Sequence, residues 1–260
     1  MKLLKSILAI AIVAALALKS AFAGDAPPIA AASDLKFALT EIAAAFTNET
    51  GRDVKLTFGS SGNFFRQIQD GAPFQIFFSA DEQFVFDLAD KSLTPDRGEQ
   101  YALGRLVLFA PLESALEVDS SMSDLREAIA DGRVRKFAIA NPEHAPYGAR
   151  AVEALTTAGL WEAVKGKLVL GENVSQAAQF AASGSAQGGI IAYSLALAPD
   201  LSRLGTFALI PAHWHEPLRQ RMVLLKTAGE TAKLFYAYMR TPAARRIMNR
   251  YGFTLPSENS

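Results

Sequence analysis

Along the chain, short apolar runs alternate with longer stretches whose apolar residues recur every three or four positions, the pattern of an α/β protein. Ile29 to Ala32 predicts a first strand. Leu35, Leu39, Ile42 and Phe46 then share one helical face, with Ser33 at the N-cap position and Gly51 just past the end as a stop signal. Val54 to Phe58 predicts a second strand, followed by Gly59-Ser60-Ser61-Gly62 and a helix from about Asn63 to Asp70. Gln75 to Ser79 predicts a third strand and Glu82 to Lys91 a third helix, and Leu106 to Ala110, closed by Pro111, a strongly apolar fourth strand.

The second half repeats the theme. Lys136 to Ala140 predicts a strand, Asn141 to Gly148 a loop holding Pro142 and Pro146, and Ala149 to Ala158 a helix ended by Gly159. Leu168 to Leu170 is a strand, Gly171 to Val174 a loop, and Ser175 to Ser183 a helix stopped by Gly184. Gly189 to Ala192 and Met222 to Lys226 are the last strands. Two helices close the chain, Glu230 to Met239 and Pro242 to Tyr251, the second with Thr241 as N-cap and Pro242 at its first position. No flexible linker divides the sequence, so two lobes would be joined by ordered strands, with Leu106 to Ala110 and the stretch Phe207 to Pro211 as the candidate crossings.

Met1 to Ala23 does not fit this alternation. Lys2 and Lys5, the apolar run Ile7 to Leu18, and the small-x-small Ala21-Phe22-Ala23 predict a secretory signal peptide over residues 1–23. Those twelve apolar residues span about 18 Å as a helix, short of the roughly 30 Å hydrocarbon core. The full chain carries 26 basic and 26 acidic residues; without Lys2, Lys5 and Lys19 the balance becomes 23 to 26, a net charge of about −3. That excludes the basic surface a nucleic-acid or anionic-membrane partner needs. The chain has no cysteine, so neither a disulfide framework nor a lipidated cysteine is available, and a soluble periplasmic protein held by its core is expected.

Four strands deliver small or polar loops that open into helices, at Ser33, at Ser60-Ser61-Gly62, at Pro146-Tyr147-Gly148 and at Asn173-Val174-Ser175. A helix start presents free N–H donors and about half a positive charge, so it binds anions without a cationic side chain. The catalytic alternatives are thin. Gly59-Ser60-Ser61-Gly62 is not a nucleophile elbow. His213-Trp214-His215 puts two imidazoles on one face if that segment is a strand, with Glu216 beside them, the set a metal-dependent hydrolase would need, but no third ligand has clear spacing. No enzyme activity and no cofactor are expected.

At these loops the sequence resembles the periplasmic molybdate-binding proteins of ABC importers. The resemblance is carried by Ala31-Ala32-Ser33-Asp34-Leu35, Phe58-Gly59-Ser60-Ser61-Gly62-Asn63, Gly71-Ala72-Pro73 with Ser79-Ala80-Asp81, and Asn141-Pro142-Glu143-His144-Ala145-Pro146-Tyr147-Gly148. Glu172-Asn173-Val174 and Arg250-Tyr251-Gly252-Phe253 extend it to the end of the chain. It implies a two-lobed type II periplasmic binding protein fold, each lobe a mixed, mostly parallel sheet flanked by helices, with the ligand in the cleft. Residues 24–106 and 209–260 would form the first lobe and 107–208 the second. It also implies molybdate or tungstate as ligand, a membrane permease as partner and a monomeric shuttle. Ser33 and Ser61 would donate from the first lobe and the Tyr147 and Val174 N–H groups from the second. Some relatives use a tyrosine in a later Gly-Ile-Val-Tyr motif; here Gly189-Ile190-Ile191-Ala192 puts Ala192 there and Tyr193 one residue late. The Tyr147 hydroxyl is therefore the expected aromatic donor, and Asp34 is expected to point away from the anion. Another oxyanion such as sulfate, thiosulfate or a phosphonate, and an extracytoplasmic sensor on the same fold, are the neighbouring alternatives.

Overall fold

The computed structural model describes residues 26–256; the signal peptide assigned to residues 1–23 lies outside them. In chain order the first elements are β1 (Pro28–Ala32), a 3-10 turn (Ser33–Leu35), α1 (Lys36–Thr50), β2 (Lys55–Gly59), α2 (Ser61–Gln69), β3 (Ile76–Ser79), α3 (Glu82–Asp90), β4 (Glu99–Gly104) and β5 (Leu106–Pro111). There follow α4 (Ser123–Ala130), β6 (Phe137–Ala140), α5 (Pro146–Thr157), α6 (Trp161–Val164), β7 (Leu168–Gly171), α7 (Val174–Ala182), β8 (Gly188–Ala192), α8 (Tyr193–Ala196) and α9 (Pro199–Ser202). β9 (Gly205–Leu209), β10 (Leu218–Leu224), α10 (Glu230–Tyr238) and α11 (Pro242–Arg250) complete the chain.

The strands form two five-stranded sheets, in the orders β2-β1-β3-β10-β4 and β7-β6-β8-β5-β9. Each has one strand antiparallel to both neighbours, β10 in the first and β5 in the second; the other pairings are parallel. The chain passes from the first sheet to the second at Arg105 and returns across residues 210–217. The result is two α/β lobes joined by two ordered crossings. Among the described residues no helix is long and apolar enough to cross a membrane.

Both faces of the first sheet are covered, so β1, residues 76–78 of β3 and residues 222–224 of β10 are apolar throughout and sort their side chains by parity. Ile29 and Ala31 of β1, Ile76 and Phe78 of β3, and Met222 of β10 pack under α1, α10 and α11. Ala30, Phe77 and Val223 face the opposite core, with Phe64 and Ile68 of α2 and Val85 and Leu88 of α3. The predicted face of α1 is the buried one, and Gly51 ends the helix at φ 70, the left-handed conformation a glycine adopts without strain. Thr241 caps α11 by accepting the Ala244 N–H through its hydroxyl oxygen.

β4 escapes the sequence pattern, with only Tyr101, Ala102 and Gly104 buried between polar and half-buried neighbours. β9 lies where a crossing was expected, at Phe207 to Pro211, and pairs within the second sheet. β10, expected over Met222 to Lys226, runs from Leu218 to Leu224, its first half hidden from the pattern by Arg219, Gln220 and Arg221. The helices after the ligand-type loops also start early: α2 at Ser61, α5 at Pro146 and α7 at Val174. Ser61, Tyr147 and Val174 are thus first-turn residues and not loop residues.

Candidate functional site

Those helix starts come together between the lobes. Ser33, Asp34, Ser60, Ser61, Tyr147 and Val174, with Ala32 and Ala80, line a small cavity. The four residues singled out in the sequence are all nearly sealed: Ser61 is 0% exposed, Ser33 2%, Tyr147 3% and Val174 3%. No Lys, Arg or His lines this cavity.

Each turn leaves particular donors unused. At α7, Asn173 accepts the Ser175 and Gln176 N–H groups through Oδ1, each at 3.1 Å, and Val174 N–H is left. At α5, Pro146 has no N–H, and Gly148 and Ala149 donate to Ala145 O, so Tyr147 N–H is left. At α2, Gly62 N–H donates across the cleft to His144 O at 2.9 Å and Phe64 N–H to Ser60 O, leaving Ser61 N–H. Among the described residues no protein acceptor takes these three amides. Three helices therefore aim the positive ends of their dipoles at one small space.

The two serine hydroxyls are primed in the same sense. Ser61 Oγ accepts the Ala80 N–H at 2.9 Å, and Ser33 Oγ accepts the Ser175 N–H at 3.2 Å. With a lone pair so occupied, each keeps its hydrogen to donate. Ser33 is not the cap of its own helix: no side-chain capping bond forms there, and its hydroxyl reaches the opposite lobe instead.

Two expectations change. The Tyr147 hydroxyl does not donate to the cavity; it donates to Asp34 Oδ2 at 3.0 Å and accepts from Gln220 Nε2 at 3.0 Å. Asp34 does not point away to solvent as a first-turn carboxylate; it is 1% exposed and also accepts from Gln220 Nε2 at 2.7 Å. Desolvation by burial pushes its carboxyl up to about 6, partly offset by the Gln220 and Tyr147 hydrogen bonds. Burial likewise raises Tyr147, reinforced by the Asp34 charge, so the phenol stays protonated. Gly104 makes room for this cluster: a Cβ there would lie 2.3 Å from Tyr147 Oη and 2.7 Å from Gln220 Nε2.

Further bonds tie the lobes beside the cavity. Ser60 Oγ and His144 Nδ1 are 2.9 Å apart, Ser194 Oγ donates to Asp34 O at 2.8 Å, and Asn63 Nδ2 donates to Glu172 Oε1. Arg150 reaches Asp81 at 3.4 Å. Sequence patterning missed these partners. Nothing in the sequence marked Gln220, whose fully buried amide lies between Arg219 and Arg221 in β10.

The metal-site alternative dissolves. His213 lies exposed in a 3-10 turn, Ala212–Trp214, and not on a strand; His215 is buried with Nδ1 on Glu216 O at 2.7 Å. Among the described residues no three His, Cys, Asp or Glu side chains are grouped to hold a metal. Tyr193 stacks edge-on against Phe207, with ring centroids 5.8 Å apart, and takes no part in the cavity.

Comparison with known proteins agrees with this geometry. Residues 28–254 match the model of the bacterial extracellular solute-binding protein family. The molybdate-binding protein ModA of Rhodobacter capsulatus is 37% identical over 248 residues, 94% of each chain. ModA of Escherichia coli is 34% identical over 230 residues, 86% of this chain and 87% of that one. The periplasmic molybdate-binding protein of Azotobacter vinelandii superposes with a TM-score of 0.81 at 31% identity, covering 89% of this chain and all of that one. With a family model along nearly the whole described chain and relatives above 30% identity over most of its length, the chain belongs to the bacterial extracellular solute-binding proteins.

Proposed function

We propose that this protein captures molybdate, and tungstate equally well, in the cavity between its lobes and delivers it to the membrane permease of an ABC importer, without performing a reaction. In this reading it acts in the periplasm as a soluble monomer after removal of residues 1–23. Its first lobe ends at Arg105 and resumes after the crossing at residues 210–217, and its second is residues 106–209, one residue wider at each end than expected because Leu106 and Leu209 pair within the second sheet. The Ser33 and Ser61 hydroxyls and the Ser61, Tyr147 and Val174 N–H groups hold the anion. The observation that carries the reading is the convergence of three helix starts with unused N–H groups on one buried cavity that no cation lines.

Hydrogen bonds to a charged group are worth roughly 1.5–3 kcal/mol each. Five of them support tight binding even after the cost of ordering the anion and closing the lobes. Donors fixed on two rigid lobes select by size: sulfate, with shorter bonds to oxygen, does not reach them all. Phosphate, whose bonds to oxygen are likewise shorter than those of molybdate, falls short of the same donors. Thermal melts with molybdate, tungstate, sulfate, phosphate and no anion test this, because a ligand of the folded state raises its stability by RT ln(1 + [L]/Kd). Large shifts with molybdate and tungstate alone are expected. A shift with sulfate of equal size would change the assigned ligand, and no shift with any anion would end the reading.

A further inference from the structure

Among the described residues that line the cavity Asp34 is the only acidic one, and its carboxyl meets Tyr147 and Gln220 at the seam between the lobes. One of its partners, Tyr147, comes from α5 in the second lobe, and the other, Gln220, from β10 in the first. Its Oδ1 has no hydrogen-bond partner among the described residues. The ionisable groups that bear on it are Tyr147 and Tyr101 of β4, both held neutral by burial. The other elements around the turn bring no compensating charge. Ser194 of α8 donates to the Asp34 carbonyl, Ser175 of α7 donates to Ser33, β2 ends at Gly59, and Lys36 of α1 lies over the Phe37 ring. No cation is among the groups that shift Asp34.

Separating the lobes removes Tyr147 from this carboxyl and admits water, and closing them expels it. Burial, offset in part by the Gln220 and Tyr147 hydrogen bonds, moves the titration of Asp34 from 3.8 to about 6, and a dianion between the lobes pushes it further the same way by like-charge repulsion. We infer that capture of the oxyanion takes up a proton at Asp34, so that the closed site holds the dianion and one proton together. The inference rests on the oxyanion reading above. Gln220 suits the protonated state as well as the charged one: its Oε1 has no partner, and with the amide turned over that oxygen accepts the carboxyl hydrogen.

The sign follows from linkage. The closed state binds the proton more tightly than the open one, so affinity rises as the pH falls from 8 towards 5. With the open carboxyl titrating near 3.8 and the closed one near 6, the rise over that range is about 10-fold. The test is calorimetric titration of the protein with sodium molybdate at pH 6.5 in buffers of different ionisation enthalpy. The wild type should take up between about a quarter of a proton and one proton per anion. Asp34→Asn, which keeps an oxygen for Tyr147 and Gln220, should take up none and should bind with an affinity that is flat from pH 5.5 to 8. Equal proton counts in the two proteins, or no uptake by the wild type, would overturn the inference. Absence of any binding heat would instead strike at the oxyanion reading. Anion-free melts then decide: parallel wild-type and Asp34→Asn profiles between pH 5 and 7 support the inference, because the open carboxyl is hydrated and already ionised, and a wild-type Tm that falls relative to Asp34→Asn over that range overturns it, because the carboxyl would then hold its proton without the anion.

Discussion

Gly62 offers the sharpest test of how the lobes meet. It is the second residue of α2 and donates its N–H to His144 O on the other lobe at 2.9 Å. A Cβ built on it would lie 2.6 Å from that carbonyl oxygen and 3.0 Å from His144 Cα, where ordinary contact begins at 3.4 Å. The obstacle is backbone on both sides, so no side chain can swing aside. In Gly62→Ala the lobes must part by about 0.8 Å here, the gap between 2.6 and 3.4 Å, which stretches the 2.9 Å hydrogen bond and the adjacent Ser60–His144 contact. Overpacking of this kind costs roughly 1–3 kcal/mol, and each 1.4 kcal/mol is tenfold in affinity. Calorimetry should show molybdate binding weakened about 10–100-fold. Each lobe alone has space for the methyl, and alanine is the better helix former by up to about 1 kcal/mol, so urea unfolding without the anion should change little. Unchanged affinity would refute the claim that this contact belongs to the anion-holding state.

Two further substitutions separate roles inside the site. Ser61→Ala removes a hydroxyl donor and should weaken molybdate binding by about 1–3 kcal/mol. It should also lower the Tm of the anion-free protein, because the buried Ala80 N–H loses its acceptor, and a Tm equal to the wild type would show that acceptor to be dispensable. Tyr147→Phe leaves the N–H on the anion but takes a donor from Asp34, so the carboxyl should titrate higher still. Proton uptake on binding should then persist at higher pH, with the order of anion preference unchanged; a changed order would mean that the hydroxyl itself touches the ligand.

The architecture was legible wherever burial is one-sided or complete. The apolar runs of β1, β3 and β5 and the stripe Leu35, Leu39, Ile42 and Phe46 mark themselves because each must face a core. That Ser33, Ser61, Tyr147 and Val174 would meet at one cavity was legible by resemblance, and by the physics of small residues at helix starts. What stayed hidden depends on residues far apart in sequence. Nothing near Ser33 tells that its hydroxyl oxygen is taken by Ser175 N–H, 142 positions on, or that Asp34 meets Tyr147 and Gln220, 113 and 186 positions on. Periodicity reports which face of an element is buried and is silent on what lies opposite. β4 and the first half of β10 were obscured for a related reason: their polar residues are partnered in the fold, as with Arg221 on Glu82 at 2.9 Å, and so are tolerated inside a sheet.

A cavity without a cation faces two problems, taking a dianion in and letting it go. Neutral N–H and O–H dipoles solve the first, because they are already oriented and carry no counter-charge that must be stripped of water. They do nothing for the second. Asp34 addresses it: while the lobes are shut, a proton silences its charge beside the anion, and when they part, water returns, the proton leaves, and the carboxylate repels the anion outward. Release should therefore be faster where Asp34 ionises readily and slower where it cannot ionise at all. Stopped-flow displacement of molybdate by excess tungstate should give an off-rate at pH 8 about 10–100-fold lower in Asp34→Asn than in the wild type, the two converging near pH 5.5. Identical off-rates at pH 8 would show that the carboxyl is a bystander to release and that lobe opening alone sets the rate.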